Sequence, residues 1–276
     1  ALIMYIARFL AVRNKSLDDF KGTFVPLMGV VAMVVGLILP ANLSTALVLL
    51  MLSMMLMFMA GVSIKSLLSV IPVGLAGIFL VFAIYKVSPD TFPRFKTWEK
   101  RIERFGSDEP NPNGNYQADQ AKIAIATGGA FGKGPGNSTQ RNFLPSSFSD
   151  FIYSIVIEEY GFLGGMGVVF LYLILLYRSI KIVKKARGSF AANLVLGLSF
   201  GLVIQGMVNM MVNVNLLPVT GQTLPLVSMG GTSMWFTSIA IGIILSVSRT
   251  VEEEGQEVIE EKVEPKQKHG RKYVTA

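Results

Sequence analysis

The chain has 276 residues, of which 51% are hydrophobic and only 16% are charged, and its mean hydropathy is +0.53. This composition is too apolar for a soluble globular domain of that length, so the soluble class is excluded. The net charge of +7 is spread over several short segments, which argues against nucleic acid as a partner. Because cysteine is absent, disulfides and thiolate metal centres are excluded as well.

Apolar segments long enough to cross a bilayer recur along the chain. Each has about 17 or more residues without Lys, Arg, Asp or Glu, and buried helices of a soluble protein explain one or two such segments but not a succession of them. We predict an all-α, polytopic transmembrane bundle with six spans, at 22–39, 45–61, 67–85, 161–177, 190–217 and 232–247. The predicted regions are 1–21 (end of a helix and a cytoplasmic loop), 22–85 (three spans), 86–149 (a large extracytoplasmic loop), 150–248 (three spans with a re-entrant-like outer loop at 218–231) and 249–276 (a charged cytoplasmic tail).

The basic residues of the short loops predict the orientation, because Lys and Arg accumulate on the cytoplasmic side. They precede the first span, occur as Lys65 between the second and third, and cluster at 178–187 after the fourth. The connections 40–45 and 218–231 carry no charge and are predicted to face outward. Residues 1–12 are apolar but too short to span, so we expect the end of a truncated helix and an N-terminally truncated fragment.

The long outer loop contains two distinct patterns. Residues 94–106 predict a basic amphipathic helix, suited either to anionic lipid or to a substrate. The glycine-rich run at 128–136 is no nucleotide loop, because Thr127 and Gly134 occupy positions where the Walker pattern needs Gly and Ser or Thr. Gly132, Gly134 and Lys133 could instead bind a phosphate head group through backbone amides and one full charge, although a flexible loop of small residues explains the composition equally well.

Three acidic residues lie at or beyond the end of this loop. Asp150 follows Ser147 at the spacing of a capping box, so it is either a helix cap or a catalytic carboxylate. Glu158 and Glu159 lie about two turns further along an apolar segment, where a carboxylate is costly. We therefore expect one of these glutamates to face protein or a water-filled cavity.

Three long motifs together resemble one family. The sequences "AIATGGAFGKGPGNSTQ", "LPSSFSDFIYSIVIEEYGFLGG" and "NLLPVTGQTLPLVSMGGTSMWFTSIAIGIILSVSR", in this order, are similar to the SEDS family, the FtsW/RodA/SpoVE polymerases of bacterial peptidoglycan. The last motif is more similar to the FtsW branch than to the RodA branch. The resemblance implies a ten-span fold, of which this chain would contain the last six spans and the end of the fourth.

The resemblance also implies an activity, namely an inverting glycosyltransferase that polymerises lipid II at the outer face of the bacterial inner membrane during cell division. Asp150 would act as the general base, because an acceptor hydroxyl must lose a proton as it attacks the anomeric carbon. Cations would stabilise the departing undecaprenyl pyrophosphate, and a divalent ion, Mg²⁺ or Mn²⁺, is expected among them. No nucleotide cofactor is expected. The residues implied in lipid II binding are Lys133, Arg141, Gly132, Gly134, Ser228, Gly230 and Gly231, with Glu158 and Glu159 as supporting acids and no protein metal ligands.

The family also implies protein partners and alternative functions. The expected partners are a class B penicillin-binding transpeptidase and other membrane proteins of the division septum. The alternatives are a lipid II flippase and a non-catalytic scaffold for the transpeptidase. The sequence departs from the common family pattern at Asn42, where an aspartate is frequent, and at Ser146 and Phe148, where Glu and His are frequent.

Overall fold

The computed structural model describes residues 1–72, 74, 76, 77 and 116–270, with side chains up to residue 253. The predicted amphipathic helix at 94–106 and most of the predicted third span at 67–85 lie outside the described residues. The α-helices are α1 (Leu2–Val12), α2 (Val25–Ile38), α3 (Leu43–Ala60), α4 (Ile64–Leu68), α5 (Tyr116–Gly128), α6 (Ile152–Lys185), α7 (Ser189–Asn213) and α8 (Gly231–Gly270). A π-helical turn (Phe20–Phe24) leads into α2, and a 3₁₀ turn (Gln140–Asn142) precedes α6.

Five helical segments of the described residues are long and apolar enough to cross a membrane. They are Phe20–Ile38, Leu43–Ala60, Ile152–Lys185, Ser189–Asn213 and Gly231–Glu253. The predicted fold class, an all-α polytopic membrane protein, is therefore confirmed. The fourth span begins at Ile152, nine residues before the predicted start at 161 (161 − 152 = 9), because the helix includes Glu158 and Glu159. Helix α8 continues through the first part of the charged tail.

Local chemistry explains where α2 and α3 begin and end. The Asp19 carboxylate accepts hydrogen bonds from the backbone amides of Lys21 (3.1 Å) and Gly22 (3.0 Å), which starts the π-helical turn. The Asn42 side chain accepts from the Thr45 amide (3.2 Å) and thereby caps α3. Gly61 ends α3 at a φ of +101°, a left-handed conformation that glycine adopts without a steric penalty.

Helix α7 occupies the centre of the bundle. It packs against α1, α3, α6 and α8, and more than half of its length is buried. Its glycines allow this close packing, since a Cβ at Gly206 would lie 2.8 Å from the Tyr172 ring of α6, and one at Gly197 would lie 2.5 Å from Ile3 of α1. Small residues at helix interfaces therefore set the position of α6, the helix that follows Asp150.

The connection between α7 and α8 folds back into the bundle. Leu224 is fully buried in a cluster with Tyr153, Tyr172 and Met210, and Gln222 donates to the Thr45 hydroxyl at the start of α3 (3.2 Å). The segment 218–231 therefore lies beside the N-terminal ends of α3 and α6. At the opposite end of the bundle, Arg8 stacks over the Phe190 ring with 5.9 Å to its centroid.

Candidate functional site

Asp150 lies in a tight turn immediately before α6, and it is not a helix cap. Helix α6 has Phe151 at its N-cap position and no hydrogen bond from that residue's side chain, so the capping-box prediction for Ser147 and Asp150 is wrong. The physical reason is the turn itself, in which Ser146 has a φ of +60° and its carbonyl accepts the Asp150 amide (3.1 Å). Among the described residues, the Asp150 carboxylate accepts only from the Ser149 hydroxyl (3.0 Å), which leaves lone pairs available for another donor.

Two buried asparagines of α7 hold the backbone of Asp150. The side-chain amides of Asn209 and Asn213 both donate to the Asp150 carbonyl, at 2.8 Å and 2.9 Å. The Asn213 side-chain oxygen accepts from the amide (3.0 Å) and hydroxyl (2.7 Å) of Ser154. It therefore caps α6 from another helix and satisfies an amide of its first turn. Each asparagine is 1% exposed, so this network is shielded from solvent and fixes the position of Asp150.

The loop 218–231 forms another wall beside Asp150. The buried Ser228 hydroxyl donates to the Ser149 carbonyl (2.5 Å) and accepts from the Leu224 amide (2.6 Å). A Cβ built on Gly221 would lie 3.6 Å from the Asp150 carboxylate, an ordinary van der Waals distance, so the loop also approaches the acid at this glycine. Ser228 therefore joins the loop to the Asp150 turn.

Side chains elsewhere in the bundle satisfy the backbone of this loop. Tyr172 donates to the Pro225 carbonyl, Gln205 donates to the Thr223 carbonyl (3.1 Å), and Asn209 donates to the Gln222 carbonyl (2.6 Å). Non-helical backbone inside a membrane protein requires such partners. The loop is thus held in one conformation by α6 and α7.

Glu158 is fully buried in α6 and forms the centre of a second polar cluster, which we call the Glu158 cluster. Its Oε1 accepts from the Lys133 ammonium (2.5 Å) and from the amide and hydroxyl of Thr139 (3.2 and 2.9 Å). Its Oε2 accepts from the Ser138 hydroxyl and the Gln140 amide (3.2 Å). A buried carboxylate is tolerated only when it is paired and hydrogen-bonded in this way. Glu158 consequently attaches residues 133–140, which precede α6 in the chain, to this helix.

The glycine-rich run packs its backbone directly on a break in α6. Gly161 has a φ of +72° and a ψ of −171°, which interrupts the helix. The amides of Lys133 and Gly134 donate to the carbonyls of Glu158 and Glu159 (both 2.9 Å), and the Phe162 amide donates to the Gly129 carbonyl (2.9 Å). The broken helix and the glycine-rich run therefore satisfy each other's backbone groups.

This arrangement differs from the expectation that the glycine amides surround a head group. The amides of Gly132, Lys133 and Gly134 already have protein acceptors, and a Cβ at Gly132 would lie 2.2 Å from the Glu159 carbonyl oxygen. The run needs glycine because two backbones come into contact here. Contact of Gly132 and Gly134 with a lipid carrier stays a prediction.

The remaining predicted residues lie around these two clusters. Arg141 is partly exposed, and its amide donates to the Ser138 hydroxyl (3.1 Å), which links it to the Glu158 cluster. Glu159 is partly exposed, whereas Gly230 and Gly231 lie at the start of α8, with open space around Gly231. The structure therefore brings Lys133, Arg141 and Glu158 together through Ser138 and Thr139, and it joins Ser228 to the Asp150 turn.

The described residues do not present a protein-built metal centre. They contain no group of three or more His, Cys, Asp or Glu residues that could hold a metal ion. Asp150 contributes a single carboxylate, which fits an ion held chiefly by a substrate but not one held by protein alone.

Sequence reasoning missed the residues that hold Asp150, namely Asn209 and Asn213 at its carbonyl and Ser149 at its carboxylate. A signal for the asparagines was present, because Asn209 and Asn213 are four residues apart in an apolar helix and so lie on one face. Polar side chains inside a membrane helix mark a functional region by default. Nothing in the sequence indicated that the partner of this face would be the Asp150 backbone.

The fold and the site define a class of protein: a multi-pass helical membrane protein with a positioned carboxylate where one membrane helix begins, next to the folded-back loop 218–231. The sequence model of one protein family, FTSW_RODA_SPOVE, which is described as "Cell cycle protein", matches residues 1–253 of the chain. The chain belongs to the FtsW/RodA/SpoVE family.

Curated relatives agree with this membership. The chain is 34% identical over 254 residues to the stage V sporulation protein E of Bacillus subtilis (strain 168), which covers 90% of this chain and 66% of the relative. It is also 34% identical over 253 residues to the "probable peptidoglycan glycosyltransferase FtsW" of Geobacter sp. (strain M18), with the same two coverages. The chain therefore spans slightly less than two thirds of the length of these relatives.

Solved structures share the fold. One, described as "Structural coordination of polymerization and crosslinking by a peptidoglycan synthase complex", has a TM-score of 0.63 at 26% identity and covers 91% of this chain and 68% of its own. The rod shape determining protein RodA of Thermus thermophilus has a TM-score of 0.54 at 26% identity, with coverages of 90% and 64%.

Proposed function

We propose that this protein is an inverting peptidoglycan glycosyltransferase that polymerises lipid II, with Asp150 as general base. The observation that carries the proposal is the state of the Asp150 side chain. Its backbone is fixed by Asn209 and Asn213, whereas its carboxylate caps no helix and, among the described residues, accepts only from the Ser149 hydroxyl. A carboxylate on a fixed backbone with lone pairs available for a donor is what a general base requires. Relatives named as probable peptidoglycan glycosyltransferases support the choice of reaction.

In the proposed reaction, the acceptor sugar hydroxyl gives its proton to the Asp150 carboxylate as its oxygen attacks the anomeric carbon of the donor. The glycosidic bond forms while the bond from that carbon to the pyrophosphate oxygen breaks, and undecaprenyl pyrophosphate leaves with the bonding electrons. Attack from the face opposite the leaving group inverts the anomeric configuration. The proton on Asp150 then passes to solvent.

Arg141 is the better of the two predicted cations for the departing pyrophosphate. Lys133 is already neutralised by Glu158, whereas the Arg141 side chain forms no ion pair among the described residues. A guanidinium can bind phosphate oxygens in a bidentate manner. A divalent ion, Mg²⁺ or Mn²⁺, would arrive with the substrate and neutralise its phosphates. The proton transfer to Asp150 does not require it.

The proposal includes a location and partners. A neighbouring structure from a peptidoglycan synthase complex supports a class B penicillin-binding transpeptidase as partner. We place the protein in the bacterial inner membrane, with Asp150 outside, and at the division septum with other division proteins.

Reconstitution of the full-length protein with labelled lipid II and its transpeptidase partner tests the reaction. We expect Asp150→Asn to lower the rate of glycan polymerisation by about 100-fold or more, the usual contribution of a general base. Asp119→Asn is the matched control, because Asp119 is exposed and, among the described residues, pairs only with Lys122 (3.7 Å), and it should retain the native rate.

The same assay separates the alternatives. Polymer formation at the native rate by Asp150→Asn would overturn the mechanism. If the native protein translocates lipid II but forms no polymer, it is a flippase. If it neither translocates nor polymerises lipid II, the scaffold function is the one that remains.

A further inference from the structure

A cleft between α6 and α8 lies at the end of the bundle opposite Asp150. Its volume is 210 Å³, several times the roughly 30 Å³ that one water molecule occupies in the liquid. The floor is apolar and includes Ile182 of α6 and Ile241 and Ile244 of α8. The cleft is therefore large enough for a small polar group that continues into an apolar chain.

One rim of the cleft is strongly basic. Arg178, Lys181 and Lys185 line it from α6, and their spacings of three and four residues place them on one face of that helix. Glu252 of α8 is the acidic residue of the lining, so three cations and one carboxylate give it a net charge of +2 (3 − 1 = 2). The cleft thus favours an anion.

A buried hydroxyl in the wall of the cleft has no partner. Ser179 is 1% exposed, lines the cleft, and its Oγ forms no hydrogen bond among the described residues. Other buried serines of the membrane helices behave differently, since Ser53 and Ser199 donate to the carbonyl four residues earlier (both 2.7 Å). Ser179 is therefore a buried hydroxyl in the wall of the cleft without a protein partner among the described residues.

We propose that this cleft binds the phosphate head group of an anionic phospholipid, with its acyl chains along the apolar surfaces of α6 and α8. Arg178, Lys181 and Lys185 bind the phosphate, and Ser179 donates to one of its oxygens. The apolar floor favours a lipid over free phosphate, and two exposed side chains on the same helices, Tyr177 beside the cleft residue Arg178 and Leu245 in the lining itself, add apolar surface. Basic pockets between membrane helices on the cytoplasmic side bind such head groups. The site is independent of glycosyl transfer.

Native mass spectrometry of the full-length protein, released from nanodiscs of phosphatidylcholine mixed with phosphatidylglycerol, tests the proposal. The measured quantity is the ratio of bound phosphatidylglycerol to bound phosphatidylcholine. We expect the combined variant Arg178→Gln, Lys181→Gln and Lys185→Gln to lower this ratio by on the order of tenfold to a hundredfold. Ser179→Ala, which leaves every charge in place, should lower it several-fold.

A combined control variant carries the same charge change outside the cleft, with Lys15→Gln, Lys65→Gln and Lys184→Gln. We expect it to keep the native ratio. An equal loss in this control would overturn the proposal, because general surface charge would then explain the preference for phosphatidylglycerol. An unchanged ratio in both cleft variants would overturn it as well. Competition with inorganic phosphate separates the two sources of phosphate: displacement of phosphatidylglycerol by an equal concentration would overturn the lipid assignment, whereas retention supports it.

Discussion

At the scale of single residues, the backbone of Asp150 is held more firmly than its side chain. Two buried amides donate to its carbonyl, whereas its carboxylate accepts only a neighbouring hydroxyl among the described residues. The sequence identified the acid and left a helix cap as one of its two possible roles, since Ser147 and Asp150 have the correct spacing. The side chain that caps α6 is instead Asn213, which lies 59 residues beyond Ser154. Local spacing cannot predict a cap supplied from a distant helix.

The Glu158 cluster yields a prediction at the same scale. Lys133→Met leaves a buried carboxylate without its cation, so we expect the free energy of unfolding to fall by about 3–5 kcal/mol. The double variant Lys133→Met with Glu158→Gln should lower the free energy of unfolding by less than the sum of the two single changes. In the double variant neither residue is left as an unpaired buried charge. Equilibrium unfolding in detergent micelles, followed by circular dichroism, measures both effects.

Lys122→Met serves as the control for Lys133→Met. The pair of Lys122 with Asp119 is exposed and 3.7 Å long, so its loss should cost about 0–1 kcal/mol. Equal losses for the two methionine variants would contradict the structural role of Glu158.

At the scale of elements, apolar length predicted the membrane helices, but it did not predict their ends. Helix α6 includes Glu158, which a search for uncharged segments excludes, because outer-loop donors satisfy this acid within the membrane region. The break at Gly161 was also missed, since glycine is common in membrane helices and only the contact with Ala130 and Gly132 distinguishes this one. The sequence shows residue types but not which backbones meet.

Two glycines distinguish the energetic cost of close packing from the cost of a left-handed backbone conformation. Gly132 and Gly136 both have a φ of +78°, but a Cβ at Gly132 would meet the Glu159 carbonyl oxygen at 2.2 Å, whereas Gly136 has open space. Gly136→Ala should therefore cost about 1–2 kcal/mol for the left-handed conformation alone. Gly132→Ala should cost a further 1–3 kcal/mol or so, because two backbones must separate. Thermal unfolding of the two variants, compared with the native protein, measures the difference, and equal costs would refute the close approach.

At the scale of the whole molecule, α7 connects the two ends of the bundle. It packs against α1 and α3 on one side and α6 and α8 on the other, and its last turn holds the Asp150 turn. The number and order of spans followed from the sequence within the described residues. The central position of α7 did not, since its apolar length resembles that of the other spans, and only its buried asparagines set it apart.

The absence of cysteine permits a direct test of the predicted orientation. Asn142→Cys introduces a thiol on an exposed residue between the Glu158 cluster and Asp150, and Lys184→Cys introduces one at the basic end of α6. A membrane-impermeant maleimide should label Asn142→Cys in intact cells, and Lys184→Cys only after the membrane is permeabilised. The reverse pattern would place Asp150 in the cytoplasm and would remove the proposed site from its substrate.

The reciprocal hydrogen bonds between the glycine-rich run and the broken part of α6 have a mechanical consequence. Lifting residues 129–134 away would leave the Glu158 and Glu159 carbonyls and the Phe162 amide without partners at once, so the run cannot separate without disturbing the break in α6. Separation of the run and rearrangement of this part of the helix are therefore coupled. A force applied to residues 129–134 would be felt in α6, about two turns beyond Asp150.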